Sequence, residues 1–167
     1  MTRLILTLLG IAALLLLMPA FARWAGEQRS GRRLRWFCSN APTLALVAYI
    51  IVNLVLTLLS RKPGSHTEIT LSLLEPFQRA ARQNDYARQL EGLLLNILLF
   101  LPLGYLLPQV FRKIKCWQVL LIGAVFTIII ELCQLVFRMG WFDVNDLFYN
   151  FIGVLAGWLF HRAQQQK

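Results

Sequence analysis

The chain has 167 residues, of which 57% are hydrophobic and 15% are charged, with a mean hydropathy of +0.58 and a formal net charge of +9. Soluble domains carry only about 45–50% apolar residues, so this composition favours lipid over water as the solvent. Basic loops orient membrane proteins, and we therefore read the positive charge as a topology signal and expect no nucleic-acid partner.

Five apolar runs are long enough, or nearly so, to cross a bilayer, which takes about 20 residues in a helix. Polar residues do not interrupt them at the regular period expected in the core of a soluble protein. In chain order the five runs cover residues 4–21, 43–59, 93–110, 117–137 and 147–160. We predict an all-α integral membrane bundle of about five transmembrane helices, forming a single domain over residues 1–167.

The charges of the loops predict the orientation of the bundle. If the N-terminus lies outside, the inner segments hold most of the Lys and Arg residues, as cytoplasmic loops do. This favours an N-out, C-in topology. The first run, with Arg3 and the Ala20-Phe21-Ala22 pattern, also resembles a cleaved secretory signal. Cleavage would invert the charge bias of every later loop, so we expect the run to be retained, with cleavage as the alternative.

A long outer loop, residues 60–90, separates the second and third runs. Pro76 suits the first turn of a helix, and Phe77, Ala80, Ala81 and Asn84 follow at spacings of three to four residues. This pattern predicts a short amphipathic helix at the membrane interface. A solvated charge run is the alternative.

Polar side chains inside the last three runs gather toward the predicted outer end. Because the third and fifth helices enter from outside while the fourth leaves toward it, we expect these side chains to lie at one depth. They predict an outward-facing polar pocket. The candidate binding residues are Asn96, Glu131, Gln134, Arg138, Asp143, Asp146 and Asn150.

Glycine spacing on the fifth run predicts which face is buried. Asp146, Asn150, Gly153 and Gly157 step by four, three and four residues and therefore share one face. Two small residues four apart let a neighbouring backbone approach closely. We therefore expect this face to point into the bundle, with the glycines serving packing alone.

Glu131 is the leading functional candidate, because a carboxylate in an apolar helix is costly without a partner. Arg138, Asn96 and Asn150 are candidate partners, and a hydrogen bond that only joins helices is the alternative role. Glu131 and Asp146 are also candidates for a catalytic acid or base. Together with Asp143 they would suit a hard divalent cation, but their spacing is not diagnostic, and we predict no metal and no cofactor.

Two stretches carry a family resemblance. Residues 96–108, NILLFLPLGYLLP, and 130–158, IELCQLVFRMGWFDVNDLFYNFIGVLAGW, resemble the VanZ-like family of small bacterial membrane proteins, most strongly over residues 91–158. A departure occurs in the outer loop, where Pro76-Phe77 is kept but the expected asparagine before it is absent. The chain positions that match the family motif are Asn96, Pro102, Gly104, Glu131, Gln134, Arg138, Asp143, Asp146, Asn150 and Gly153.

The resemblance implies a multi-pass protein of the bacterial cytoplasmic (inner) membrane. The founding member is associated with low-level teicoplanin resistance, without an established chemical activity, so that role is not carried over to this chain. We predict binding of a cell-envelope molecule, either a lipid headgroup or a cell-wall precursor related to glycopeptide action. Two alternatives stay open: a membrane enzyme acting on an envelope lipid, and a small transporter or flippase component. Membrane lipid is an expected partner, and a homo-oligomer stays open.

Overall fold

The computed structural model describes residues 10, 17, 32–59, 69–70, 81, 86–137 and 142–166. Within these residues the chain forms four long helices: α1 (Arg32–Leu54), α2 (Tyr86–Val110), α3 (Cys116–Val136) and α4 (Val144–Gln165). A π-helical turn, Val55–Leu59, continues α1. Two short strands, β1 (Ile69–Thr70) and β2 (Phe142–Asp143), pair in parallel, with Ile69 opposite Phe142.

Among the described residues, three helices are long and apolar enough to cross a membrane, over Ser39–Leu58, Gln89–Val110 and Cys116–Val136. They correspond to the second, third and fourth predicted runs. The fifth run lies within α4, which falls short of the same criterion because polar residues flank its apolar stretch at both ends. The first run, apart from helical Gly10 and Leu17, lies outside the described residues, as does nearly all of the predicted interfacial helix. Five spans and the N-out orientation stay predictions.

The side chains of α3 are distributed in the opposite sense to those of a helix in a soluble protein. The face of α3 that points away from the bundle, its outer face, carries large apolar residues such as Ile129, Leu132 and Val136. Val136 is 74% exposed. Glu131 and Gln134, in contrast, face the interior and are each 2% exposed. Exposed apolar area is unfavourable in water by about 25 cal/mol per Å², but lipid tails remove that cost. The outer face of α3 is therefore suited to acyl chains.

Glycines bring α4 close to α2. A Cβ at Gly153 would overlap the carbonyl oxygen of Ile97 and lie 3.1 Å from its Cα. A Cβ at Gly157 would overlap the carbonyl oxygen of Leu101 and lie 2.8 Å from the backbone nitrogen of Tyr105. The prediction that these two glycines admit a neighbouring backbone is confirmed.

Val154 marks the point where α2, α3 and α4 meet, and it is fully buried. A Cβ at Gly104 of α2 would overlap the carbonyl oxygen of Val154. A Cβ at Gly123 of α3 would lie 2.7 Å from Cγ2 of Val154. Small residues on two helices thus accommodate one β-branched residue on the third. This contact fixes the rotation of α4, and with it the direction of the polar side chains near its start.

Candidate functional site

Polar side chains of α1 connect it to α2 inside the bundle. Tyr49, Asn53 and Thr57 recur every four residues and so share one face of the helix. Asn53 Nδ2 donates to the Tyr49 hydroxyl at 2.9 Å, and that hydroxyl donates to the carbonyl oxygen of Leu99 at 2.9 Å. Tyr49 and Asn53 are both buried. Toward its C-terminal end, α1 thus contacts α2 through a chain of hydrogen bonds.

The π-helical turn presents a backbone carbonyl to α3. Gln134 Nε2 donates to the carbonyl oxygen of Thr57 at 3.1 Å, while the Thr57 hydroxyl donates to the carbonyl oxygen of Asn53 at 2.7 Å. Such turns are frequently found at functional sites. Gln134 therefore joins the C-terminal end of α3 to that of α1.

One face of α3 carries three buried polar residues. Thr127, Glu131 and Gln134 are spaced by four and three residues. Asn150 Nδ2 of α4 donates to Thr127 Oγ1 at 2.6 Å. Glu131 lies one turn beyond Thr127 on this face and one turn before Gln134. Its carboxyl group is thus placed in the interior, between a residue that binds α4 and a residue that binds α1.

The start of α4 carries two carboxylates in different roles. Asp143 caps the helix, since its Oδ1 accepts from the backbone nitrogen of Asn145 at 2.9 Å and from Asn145 Nδ2 at 2.7 Å. Asp146 Oδ1 accepts from Asn96 Nδ2 at 2.5 Å, which joins α4 to α2. A carboxylate in the first turn of a helix is also stabilised by the helix dipole. Asp143 and Asp146 therefore both contribute to the local structure.

These residues lie toward the C-terminal ends of α1 and α3 and toward the N-terminal ends of α2 and α4. The four helix termini meet on the same side of the bundle. We call the following residues the polar cluster: Asn53, Thr57, Asn96, Thr127, Glu131, Gln134, Asp143, Asp146 and Asn150.

Three members of the polar cluster offer buried acceptors. Oδ1 of Asn53, Oε1 of Gln134 and Oδ1 of Asn150 accept no hydrogen bond from the part of the chain that the structure describes. Leaving such a group unsatisfied costs about 1–3 kcal/mol. With the carboxylates, these oxygens make the polar cluster rich in acceptors. Hydroxyl, amide or ammonium groups of a ligand would satisfy them.

Of the seven predicted binding residues, the six that the structure describes all belong to the polar cluster, and Arg138 lies outside the described residues. Their binding role stays a prediction. Asn96 donates to Asp146 and Asn150 donates to Thr127, whereas both were predicted as candidate partners of Glu131.

Asn53, Thr57 and Thr127 belong to the polar cluster but are not among the residues predicted from the sequence. Their spacing was the available signal, because each shares a helical face with another buried polar residue. Among the described residues, no group of three or more His, Cys, Asp or Glu side chains is arranged to hold a metal ion.

Comparison with protein families identifies a match. A family model described as VanZ/LLP1 matches residues 43–164, a segment that contains the whole polar cluster. No curated protein and no solved structure matches the chain.

Proposed function

The chain belongs to the VanZ/LLP1 family of membrane proteins, and we propose that it binds the polar part of a cell-envelope molecule at the polar cluster. The ligand is a lipid headgroup or a cell-wall precursor, and the binding pocket faces outward. The observation that carries the proposal is the set of buried acceptor oxygens on Asn53, Gln134 and Asn150, which come from three different helices.

The chemistry of the polar cluster suits a ligand that carries several donors. Glu131 and Asp146 add carboxylate oxygens to the amide acceptors, and charge-assisted hydrogen bonds to carboxylates are the strong ones. Sugar hydroxyls, peptide N–H groups and ammonium headgroups are donors of this kind, and all occur in envelope lipids and cell-wall precursors. The apolar outer faces of the helices would accommodate the acyl part of such a molecule.

Glu131→Gln and Asp146→Asn test the proposal, because each keeps the size of the side chain and removes its charge. Glu91→Gln is the matched control, since Glu91 lies on α2 outside the polar cluster. Each variant is expressed in a strain lacking the native protein. We expect the two cluster variants, and not the control, to lose complementation of envelope-antibiotic sensitivity and to lose a lipid that co-purifies with the native protein.

Protein level and melting temperature are measured alongside. Full complementation by both cluster variants would overturn the proposal. Loss of folded protein in both, with ligand retained by the remaining folded fraction, would assign Glu131 and Asp146 to packing.

A second candidate function, an enzyme acting on an envelope lipid, draws support from the unlike surroundings of the two carboxylates. Glu131 is buried near the C-terminal end of α3, whereas Asp146 is half-buried and hydrogen-bonded to Asn96. Carboxyl groups in different environments are able to divide the roles of acid and base. Turnover of a radiolabelled envelope lipid by the purified protein, abolished in both variants, would favour catalysis. Binding without turnover would exclude it.

A further inference from the structure

The end of the bundle opposite the polar cluster is strongly basic. Its segments are the first part of α1, the turn between α2 and α3, and the last turns of α4. The sequence has no Asp or Glu over residues 28–67, 92–130 or 147–167. The turn carries Arg112, Lys113 and Lys115, and α4 carries Arg162. Among the described residues, this positive charge has no carboxylate near it.

Two adjoining clefts open at this basic end. The first, about 590 Å³, lies between α1, α2 and α4 and is lined by residues that include Ser39, Gln109 and Arg112. The second, about 310 Å³, lies between the turn and α4 and adds Lys115 and Arg162. Both volumes fall within the range of about 300–1,000 Å³ that is usual for small-molecule sites. Four residues line both clefts: Pro108, Arg112, His161 and Gln165.

One contact from α2 and two contacts within α4 position the last turns of α4 beside the clefts. The Tyr105 hydroxyl donates to Gln164 Oε1 at 2.9 Å, and Nε2 of His161 lies 2.9 Å from Nε2 of Gln165. Arg162 Cζ lies 5.6 Å from the centre of the Trp158 ring, a cation–π contact that leaves the edge of the guanidinium for another partner. Arg162 therefore presents its donors from a fixed position beside the second cleft.

We propose that these clefts bind a phosphate group, with Arg112 as the principal contact and Lys115 and Arg162 as supporting donors. Arginine matches the geometry of phosphate oxygens with its planar array of donors. The N-terminus of α3, a helix of 21 residues, begins at the second cleft and adds partial positive charge there. The apolar lining residues Ile114 and Trp158 suit the glycerol and acyl part of a lipid.

An anionic phospholipid headgroup and free phosphate share this chemistry, and the experiment separates them. Full-length protein in a neutral detergent is incubated with equimolar phosphatidylglycerol and phosphatidylcholine, and bound lipid is counted by native mass spectrometry. Parallel samples contain inorganic phosphate as a competitor. The variants are Arg112→Gln, its partial rescue Arg112→Lys, and Lys113→Gln as the control of equal charge change. Lys113 lies next to Arg112 but lines neither cleft.

We expect the native protein to retain phosphatidylglycerol in preference to phosphatidylcholine. Arg112→Gln should weaken that retention by about tenfold or more, as the loss of one charge-assisted hydrogen bond would, and Arg112→Lys should restore part of it. Lys113→Gln should change it less than about twofold. Displacement of the lipid by inorganic phosphate would assign the site to a soluble anion, and resistance to displacement would assign it to the lipid.

Equal loss in Arg112→Gln and Lys113→Gln would overturn the proposal, since surface charge alone would then explain binding. Absence of any preference for phosphatidylglycerol, together with no binding of inorganic phosphate, would overturn it as well. Arg112 is exposed, so its substitution leaves the core intact, and melting temperature checks this directly.

Discussion

Replacing Gly157 by alanine tests whether the contact between α2 and α4 sets the geometry of the polar cluster. The new Cβ would overlap the carbonyl oxygen of Leu101 and lie 2.8 Å from the nitrogen of Tyr105, whereas ordinary contact begins at 3.4 Å. The contact with the Tyr105 nitrogen alone requires the two helices to separate by about 0.6 Å, and the overlap with the carbonyl oxygen requires more, because backbone atoms are unable to rotate away as a side chain does. Overpacking of this kind costs about 1–3 kcal/mol, and we expect a value in the upper part of that range.

The measurement is thermal unfolding of the purified protein in a mild detergent, with Gly92→Ala as the control. Gly92 also lies in a helix, but nothing lies within 4 Å of its Cβ position. Alanine is the better helix former by about 1 kcal/mol, so the control should be neutral or slightly stabilised. For a protein of this size 1 kcal/mol corresponds to about 2–4 °C, so a loss of about 2–3 kcal/mol should lower the melting temperature of Gly157→Ala by about 4–12 °C. Equal melting temperatures for the two variants would refute the reasoning.

Three further predictions concern the interior and the orientation of the bundle. Thr127→Val removes the acceptor for Asn150 at nearly constant size, so unfolding should become easier by about 1 kcal/mol in the same assay, and an unchanged melting temperature would contradict the hydrogen bond. Tyr49→Phe removes a hydroxyl that both donates and accepts, so its loss of stability should exceed that of Thr127→Val; a smaller loss would mean that the hydroxyl contributes little. With the other two cysteines replaced by serine, Cys116 should react with an impermeant maleimide in inside-out vesicles and not in intact cells, and the opposite pattern would reverse the predicted orientation.

The described helices that are long and apolar enough to cross a membrane follow from sequence because a long apolar run is a local property. The predicted runs at residues 43–59, 93–110 and 117–137 all coincide with helices of the structure. Helix α4 is harder to classify, because Asp146 and Asn150 near its start lower its hydropathy while forming part of the polar cluster. A site at the end of a helix thus obscures the signal that identifies the helix.

The pairing of polar side chains was less predictable than their identity. Whether Asn96 meets Glu131 or Asp146 depends on how α2 and α4 are rotated about their axes, which close contacts such as that of Gly153 with Ile97 determine. The acceptor for Gln134 is a backbone carbonyl, that of Thr57, in a π-helical turn. Every residue has a backbone carbonyl, so neither residue type nor helical spacing identifies this acceptor.

The pairing of β1 with β2 links distant parts of the chain at the start of α4. Ile69 and Thr70 belong to the connection between α1 and α2, while Phe142 and Asp143 immediately precede α4. Asp143 is at once the partner of Thr70 in this ladder and the residue that caps α4. If a bound molecule or a neighbouring protein displaced the connecting segment, the first turn of α4 would therefore move with it. Asp146 contacts Asn96 in this turn.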